Sequence, residues 1–159
     1  MLYKKIQGFS MIEVLITIFI MAVGLLGLAA LQMVSVKNVN NTQYRTLATI
    51  YAYDMAERIR SNREGRAGYN NIEGDEGAVT CNPTPCSAAE MAARDAYEWN
   101  EMISDTVNTD DLPSGLPNGV GTVVGDGVTY AITVSWDEQD KAGADGSEAQ
   151  SFTLNITLD

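Results

Sequence analysis

One carboxylate lies in an apolar stretch, where a charged side chain costs free energy. Glu13 lies near the start of an apolar stretch, and no other charged residue follows it until Lys37. An ionised carboxylate at the centre of a membrane-spanning helix costs about 2.5–3.5 kcal/mol, and less near the membrane surface. Glu13 therefore either lies at the depth of the lipid headgroups or pairs with a positive group supplied by another chain. Ion pairing is the chemistry that this residue offers.

A cysteine pair is the second candidate site. Cys81 and Cys86 are the two cysteines of the chain, and two of the residues between them are prolines. The prolines make a metal-binding knuckle awkward, and no histidine is present to complete a zinc site. The pair predicts a disulfide, provided that this part of the chain lies outside the cytoplasm. So short a loop should shape a local turn more than it holds the fold together.

Acidic side chains crowd residues 137–146. Asp137, Glu138, Asp140 and Asp145 carry the hard oxygen ligands that calcium prefers. Their spacing does not match an EF-hand loop, so a solvated hairpin tip is the favoured interpretation and calcium binding stays open.

Composition excludes other classes of protein. Histidine is absent, and no glycine-rich loop carries the lysine of a phosphate cradle, so we predict no catalytic residue, cofactor or metal ion. The formal charge of −11 argues against a nucleic-acid partner. One basic cluster suits either the C-terminal end of a helix or a partner for acidic loops. It comprises Arg58, Arg60, Arg63 and Arg66.

The apolar stretch predicts a membrane helix. Val14 to Leu31 contains one polar residue, Thr17, and is long enough to cross a bilayer. Lys4 and Lys5 precede it, which places the N-terminus in the cytoplasm and the chain beyond about residue 36 on the other side. No small-residue cleavage site follows the stretch, so we expect it to be retained.

The segment from Lys4 to Ile16 resembles the prepilin signature of type IV pilins and type II secretion pseudopilins. It has glycine at 8, phenylalanine at 9 and glutamate at 13. The resemblance implies that a prepilin peptidase cleaves between Gly8 and Phe9 and methylates the new amino terminus of Phe9. It also implies that Glu13 neutralises the amino terminus of an adjacent subunit during assembly. Loss of residues 1–8 removes two lysines and changes the formal charge from −11 to −13.

Apolar periodicity continues beyond the stretch and predicts one helix from about Phe9 to Ser61. Its stripe comprises Tyr44, Leu47, Ala48, Tyr51, Ala52, Met55 and Ile59. Residues 62–80 contain four glycines and predict a loop. Ser87 and Glu90 form a capping box that opens a second helix. The apolar face of this helix is predicted to include Met91, Ala92, Asp95, Ala96, Trp99 and Met102.

The C-terminal third predicts three strands, at residues 121–124, 128–136 and 151–158, with a tight turn at 125–127. Two apolar faces alternate along the last two strands. They comprise Tyr130, Ile132, Val134 and Trp136, then Phe152, Leu154, Ile156 and Leu158. Trp99 and Trp136 are in phase with these apolar faces and are predicted core residues.

The predicted fold is α+β and pilin-like, a long N-terminal helix packed against a small antiparallel sheet. Residues 1–8 are the predicted leader and residues 9–36 the apolar half of the helix, which spans the membrane and later lies in the filament core. Residues 37–159 are the predicted head, which includes the amphipathic half of the helix at 37–61.

Within this group, four segments resemble the PilV family of type IV pilus modification proteins, which are minor pilins. They are residues 24–32, the cysteine loop, residues 92–99 and residues 130–136. The resemblance implies a structural subunit that helps to initiate pilus assembly and enters the filament or its tip, supporting adhesion and twitching motility. Its partners would be the prepilin peptidase, the major pilin, other minor pilins and a tip adhesin.

The expected location is the bacterial inner membrane, with one pass and a periplasmic head, and then the pilus at the cell surface. Two alternatives remain. A minor pseudopilin of a type II secretion system would carry the same processing motif. A monomeric membrane-anchored binding module would leave Gly8 uncut and would not need Glu13.

Overall fold

The computed structural model describes residues 8–81, 85–104, 115–139 and 147–159. The elements are helix α1 (Met11–Ser61), a 3-10 helix (Arg63–Tyr69), strand β1 (Asn71–Ile72), helix α2 (Ala88–Ser104), and strands β2 (Val120–Gly125), β3 (Thr129–Gln139) and β4 (Ser147–Thr157). The chain divides into two compact units, Met1–Val39 and Asn40–Asp159. A long N-terminal helix and a four-stranded antiparallel sheet confirm the predicted α+β fold.

Helix α1 continues without interruption because its 51 residues include no proline. Its last turn carries Arg58 and Arg60, where positive charge is favoured. The predicted apolar stripe is confirmed. Ala48, Ala52, Met55, Ala56 and Ile59 are fully buried, while Tyr44, Leu47 and Tyr51 pack against this core half-buried.

The sheet follows chain order, β1-β2-β3-β4, with every pair antiparallel. The predicted turn between β2 and β3 is confirmed. Gly127 has φ +93, a left-handed conformation that favours glycine. The Asp126 carboxylate accepts hydrogen bonds from the backbone N–H groups of Val128 and Thr129 at 2.9 and 2.7 Å.

The core lies between the sheet, α1 and α2. Both tryptophans belong to it, as predicted, and the Trp99 indole N–H donates to the Tyr51 carbonyl at 2.9 Å. Gly121 in β2 allows this packing, because an added Cβ would lie 2.3 Å from the Trp99 ring. The inner face of β3 is buried as predicted, through Tyr130, Ile132, Val134 and Trp136.

The buried face of α2 differs in part from the prediction. Ala92, Ala96, Trp99, Asn100 and Ile103 are buried. Met91 and Met102, expected on this face, are 38% and 37% exposed. At about 100° per residue both methionines lie to one side of the stripe that runs from Ala92 to Ile103, which explains their exposure. The Ser87–Glu90 capping box is confirmed.

Residues 62–80 are not wholly a loop, so that prediction is wrong for residues 63–72. The 3-10 helix begins where the Asn62 side chain accepts from the Gly65 N–H at 3.1 Å, and β1 pairs with β2. Tyr69 and Ile72 in these short elements are buried. Elements this short have no apolar period, so local sequence carries little signal for them.

The predicted acidic hairpin tip is also wrong for Asp137 and Glu138. Both lie in β3, which pairs with β4 as far as Gln139. Glu138 is 6% exposed, and its carboxylate accepts from the Arg45 guanidinium at 3.0 Å. Asp140 and Asp145 lie outside the described residues.

Arg58 joins α1 to α2 through carboxylates. Its guanidinium lies 2.8 Å from Asp54 and 2.9 Å from Asp95, and the Tyr69 hydroxyl donates to Asp95 at 2.5 Å. Burial alone would lower the pKa of Arg58, but hydrogen bonds and charges from Asp54 and Asp95 outweigh it, and the pKa ends above its ordinary value. Burial, followed by the hydrogen bond to Asp95, raises the pKa of Tyr69. Arg58 therefore pairs with helical carboxylates and stabilises the head.

Candidate processing and assembly site

The predicted cleavage point lies just ahead of α1. Gly8, Phe9 and Ser10 are exposed and non-helical, and the Ser10 carbonyl accepts from the N–H groups of Glu13 at 3.1 Å and Val14 at 3.4 Å. A Cβ added at Gly8 would meet nothing within 4 Å. The described fold therefore does not require glycine at position 8. A requirement for glycine there would come from a protein that recognises this segment.

Glu13 occupies the first turn of α1 and is exposed. A carboxylate there gains about 0.3–1 kcal/mol from the helix dipole. This gain is smaller than the cost of about 2.5–3.5 kcal/mol for a charge deep in an apolar membrane. None of the salt bridges among the described residues includes Glu13. The described residues therefore leave open whether this carboxylate lies at the depth of the lipid headgroups or pairs with a positive group.

The first half of α1 is apolar on all sides and uncovered. Every residue from 8 to 36 is exposed, including Phe19, Leu26 and Met33. By length and composition α1 is able to cross a membrane, and it is the one such helix in the described chain. An apolar surface of this extent has to be covered by lipid or by other protein.

Two family models match consecutive parts of the chain. Residues 3–29 match the prokaryotic N-terminal methylation motif, and this range contains Gly8, Phe9 and Glu13. Residues 30–97 match the type IV pilin Tt1218 family, from the exposed part of α1 into α2. Together, the two matches support a type IV pilin-like prepilin. No curated protein and no solved structure matches it.

These matches support the coarse features predicted from sequence. A pilin-like prepilin is a structural subunit that is processed by a prepilin peptidase, is anchored in the inner membrane and assembles with other pilins. Pilins are structural and not enzymatic proteins.

The cysteine pair forms the predicted disulfide. Cys81 is bonded to Cys86, and their Cα atoms lie 5.0 Å apart. The Arg94 guanidinium approaches the Cys81 sulfur to 3.9 Å and is also paired with Glu98 at 2.7 Å. Cys86 lies two residues before α2, which begins at Ala88.

Sequence reasoning missed several long-range polar pairs of the head, including Arg45–Glu138 and Tyr69–Asp95. The members of these two pairs lie 93 and 26 residues apart in the chain. No local pattern connects positions so distant. The buried alternation of β3, which continues into Glu138, was the one available signal for the first pair.

Proposed function

We propose that the chain is a minor type IV pilin of the PilV kind, which helps to initiate pilus assembly and becomes part of the filament or its tip. The observation that carries the proposal is the N-terminal methylation motif joined directly to a type IV pilin match, on a segment that is exposed from residue 8 to residue 36. The segments that resemble PilV supply the finer assignment. In this role the subunit supports adhesion and twitching motility.

Processing prepares the subunit for assembly. Cleavage between Gly8 and Phe9 removes Lys4 and Lys5 and creates a positive amino terminus, which is then methylated. Glu13 lies fifth in the shortened chain. When α1 leaves the lipid for a protein interior, an unpaired carboxylate there would be strongly disfavoured. Pairing Glu13 with the amino terminus of a neighbouring subunit removes that penalty and sets the relative position of the two helices.

In the proposed topology the N-terminus begins in the cytoplasm and the head lies in the periplasm until the subunit enters a pilus at the cell surface. Lys4 and Lys5 ahead of the apolar helix support this orientation. The proposed partners are the prepilin peptidase, the major pilin, other minor pilins and a tip adhesin.

The deciding experiment compares wild type with Gly8→Ala and Glu13→Gln in the native cells. Intact-mass spectrometry reports processing, and sheared filaments report incorporation. We expect wild type to begin at methylated Phe9 and Gly8→Ala to remain full length. Because Gly8 has open space around it, this loss reflects the peptidase and not misfolding. We expect Glu13→Gln to be cleaved but at least tenfold depleted from filaments.

The matched control is Glu57→Gln, which removes an exposed carboxylate from the same helix and should leave both readouts unchanged. A wild-type chain that keeps residues 1–8 would contradict the proposal and leave a membrane-anchored binding module. Normal processing, absence from sheared pili and a defect in protein secretion in a strain lacking this chain would instead assign it to a type II secretion pseudopilus.

A further inference from the structure

Strand β4 has one neighbour in the described sheet, which leaves its other edge unpaired. Its pairing with β3 is continuous from Gln139↔Ser147 to Thr129↔Thr157, without a bulge. The Leu158 N–H donates to the Val128 carbonyl at 2.8 Å. This bond identifies which alternate residues of β4 direct their backbone groups towards β3. In an antiparallel pair such bonds alternate, so the N–H and C=O groups of Ser151, Thr153 and Asn155 point away from β3.

Among the residues that the structure describes, this edge lacks the usual protection against pairing. Natural sheets block exposed edges with lysine, proline, bulges or very short strands. The opposite edge follows that rule, since β1 has two residues. Between Ala149 and Thr157, by contrast, β4 contains no charged residue, proline or glycine. The side chains of Ser151, Thr153 and Asn155 are exposed, small and neutral. A long regular edge of this kind is a template for an added strand.

The apolar layer is also incomplete beside this edge. On β3, Ile132 and Val134 are fully buried, whereas their partners Leu154 and Phe152 on β4 are half-buried. An additional strand next to β4 would cover both side chains with its own inward-facing residues. A strand that binds beside β4 therefore needs apolar residues at alternate positions and neutral polar residues between them.

We propose that the edge of β4 binds an extended segment of another protein, which adds to the sheet as a further strand. The charge of the chain disfavours a second copy as the source. Each copy carries a formal charge of −11, or −13 without residues 1–8, so two copies repel each other. A neutral or basic segment avoids that repulsion. The proposal does not depend on the filament role of α1.

The test places the photocrosslinking amino acid p-benzoylphenylalanine at position 151, 153 or 155 of the full chain in its own cells. The control position is Val124, which is 65% exposed and lies two strands away from the edge. Crosslinked peptides are identified by mass spectrometry. We expect the three edge positions to reach one segment of one other protein, and the crosslinked residue to move by about two positions at each step.

That two-residue register distinguishes strand addition from simple proximity. Crosslinks onto a second copy, crosslinks without register, or yields no higher than at Val124 would overturn the proposal. These outcomes are independent of processing at Gly8, so failure here and failure of the pilin assignment are read separately.

A backbone variant adds a second readout. Thr153→Pro removes an N–H that points away from β3 and keeps the ladder bonds, whereas Thr153→Val keeps that N–H. With the photocrosslinker at 151 or 155, Thr153→Pro should reduce the crosslink at least tenfold and Thr153→Val should retain it. Cooperative urea unfolding checks that each variant is folded. A folded Thr153→Pro variant that crosslinks as well as Thr153→Val would contradict strand addition.

Discussion

At the scale of single residues, the charged side chains of the head differ in how far they are shielded from water. Arg58 and Asp95 are 23% and 14% exposed along their side chains, and Tyr69 completes the hydrogen bonding of Asp95. The Arg60–Glu57 pair on the same helix is far more exposed. Removing one member of a buried pair leaves the other charge without compensation, whereas water readily replaces a lost exposed partner.

We therefore expect Arg58→Ala to lower the free energy of unfolding by about 2 kcal/mol, because Asp95 stays largely shielded from water without its cation. Arg60→Ala is the matched control and should change it by less than about 0.5 kcal/mol. Urea denaturation of the full chain in detergent micelles measures both. Equal losses in the two variants would show that burial does not decide the strength of these pairs.

Compensation of charge also matters at Glu13, which lies in the first turn of α1 and outside the head. It is a charge without a described ion-pair partner on an uncovered helix, and the helix dipole offers less than its burial costs. Residue type and position alone predict either a location at the lipid headgroups or an outside cation. The identity of that cation stays a prediction.

At the scale of elements, the start of α2 shows how a local motif determines structure. The Ser87 backbone N–H and hydroxyl both donate to the Glu90 carboxylate at 2.8 Å, and the Glu90 N–H donates back to the hydroxyl at 3.3 Å. These donors, the backbone N–H first, lower the pKa of Glu90 from its ordinary value of 4.5. A carboxyl group whose pKa is depressed by folding stabilises the fold above its unfolded pKa and loses that contribution as pH falls through the folded value.

Ser87→Ala should raise the pKa of Glu90 part of the way to its ordinary value, since the backbone donor remains. It should also lower the free energy of unfolding at pH 7 by about 1 kcal/mol, through loss of the N-cap hydroxyl. NMR titration of the Glu90 carboxyl group measures the first change, and urea denaturation measures the second. The stability difference between variant and wild type should shrink as pH falls through the folded-state pKa of Glu90, below which the carboxyl group is protonated in both. A pKa of Glu90 that stays unchanged in Ser87→Ala would rule out the hydroxyl as a cause of the shift.

The end of β3 could not be predicted from the local sequence pattern. Alternation correctly predicted the buried face of β3 as far as Trp136, but β3 continues through Asp137 and Glu138 to Gln139. Those residues lack an apolar signal. They remain in the strand because β4 pairs with them and because Arg45 compensates the buried charge of Glu138.

At the scale of the whole molecule, the two compact units differ in whether they bury apolar residues of their own. Every buried apolar residue of the described core lies at position 48 or later, inside the unit Asn40–Asp159. Residues 8–36 contribute none and are exposed throughout. The head therefore contains the elements of its own core, whereas the apolar segment depends on lipid or on other chains.

A chain that begins at residue 40 should fold into a soluble protein with cooperative urea unfolding and a near-ultraviolet circular dichroism signal from buried Trp99. The matched control begins at residue 54. It lacks Ala48, Ala52 and the Tyr51 carbonyl that accepts from Trp99, so we expect it to lose both properties. If the 40–159 chain also failed to unfold cooperatively, residues before 40 would have to belong to the folding unit.

The sequence by itself determined the features that depend on neighbouring residues. The long helix follows from an apolar, proline-free run that becomes amphipathic, and the α2 start follows from the capping box. The β2–β3 turn and the inner faces of the last two strands follow from glycine placement and from alternation. The processing motif was also visible at this level, and a family model matches it.

Only the tertiary structure decided the features that depend on distant partners. The 3-10 helix and β1 exist because Tyr69 and Ile72 are buried against other elements, and Glu138 is held by a residue 93 positions away. Which strand of the sheet lies at the edge is likewise a property of topology. Local sequence patterns report the conformation that a segment prefers, whereas a charged or short segment adopts the conformation that its long-range contacts stabilise.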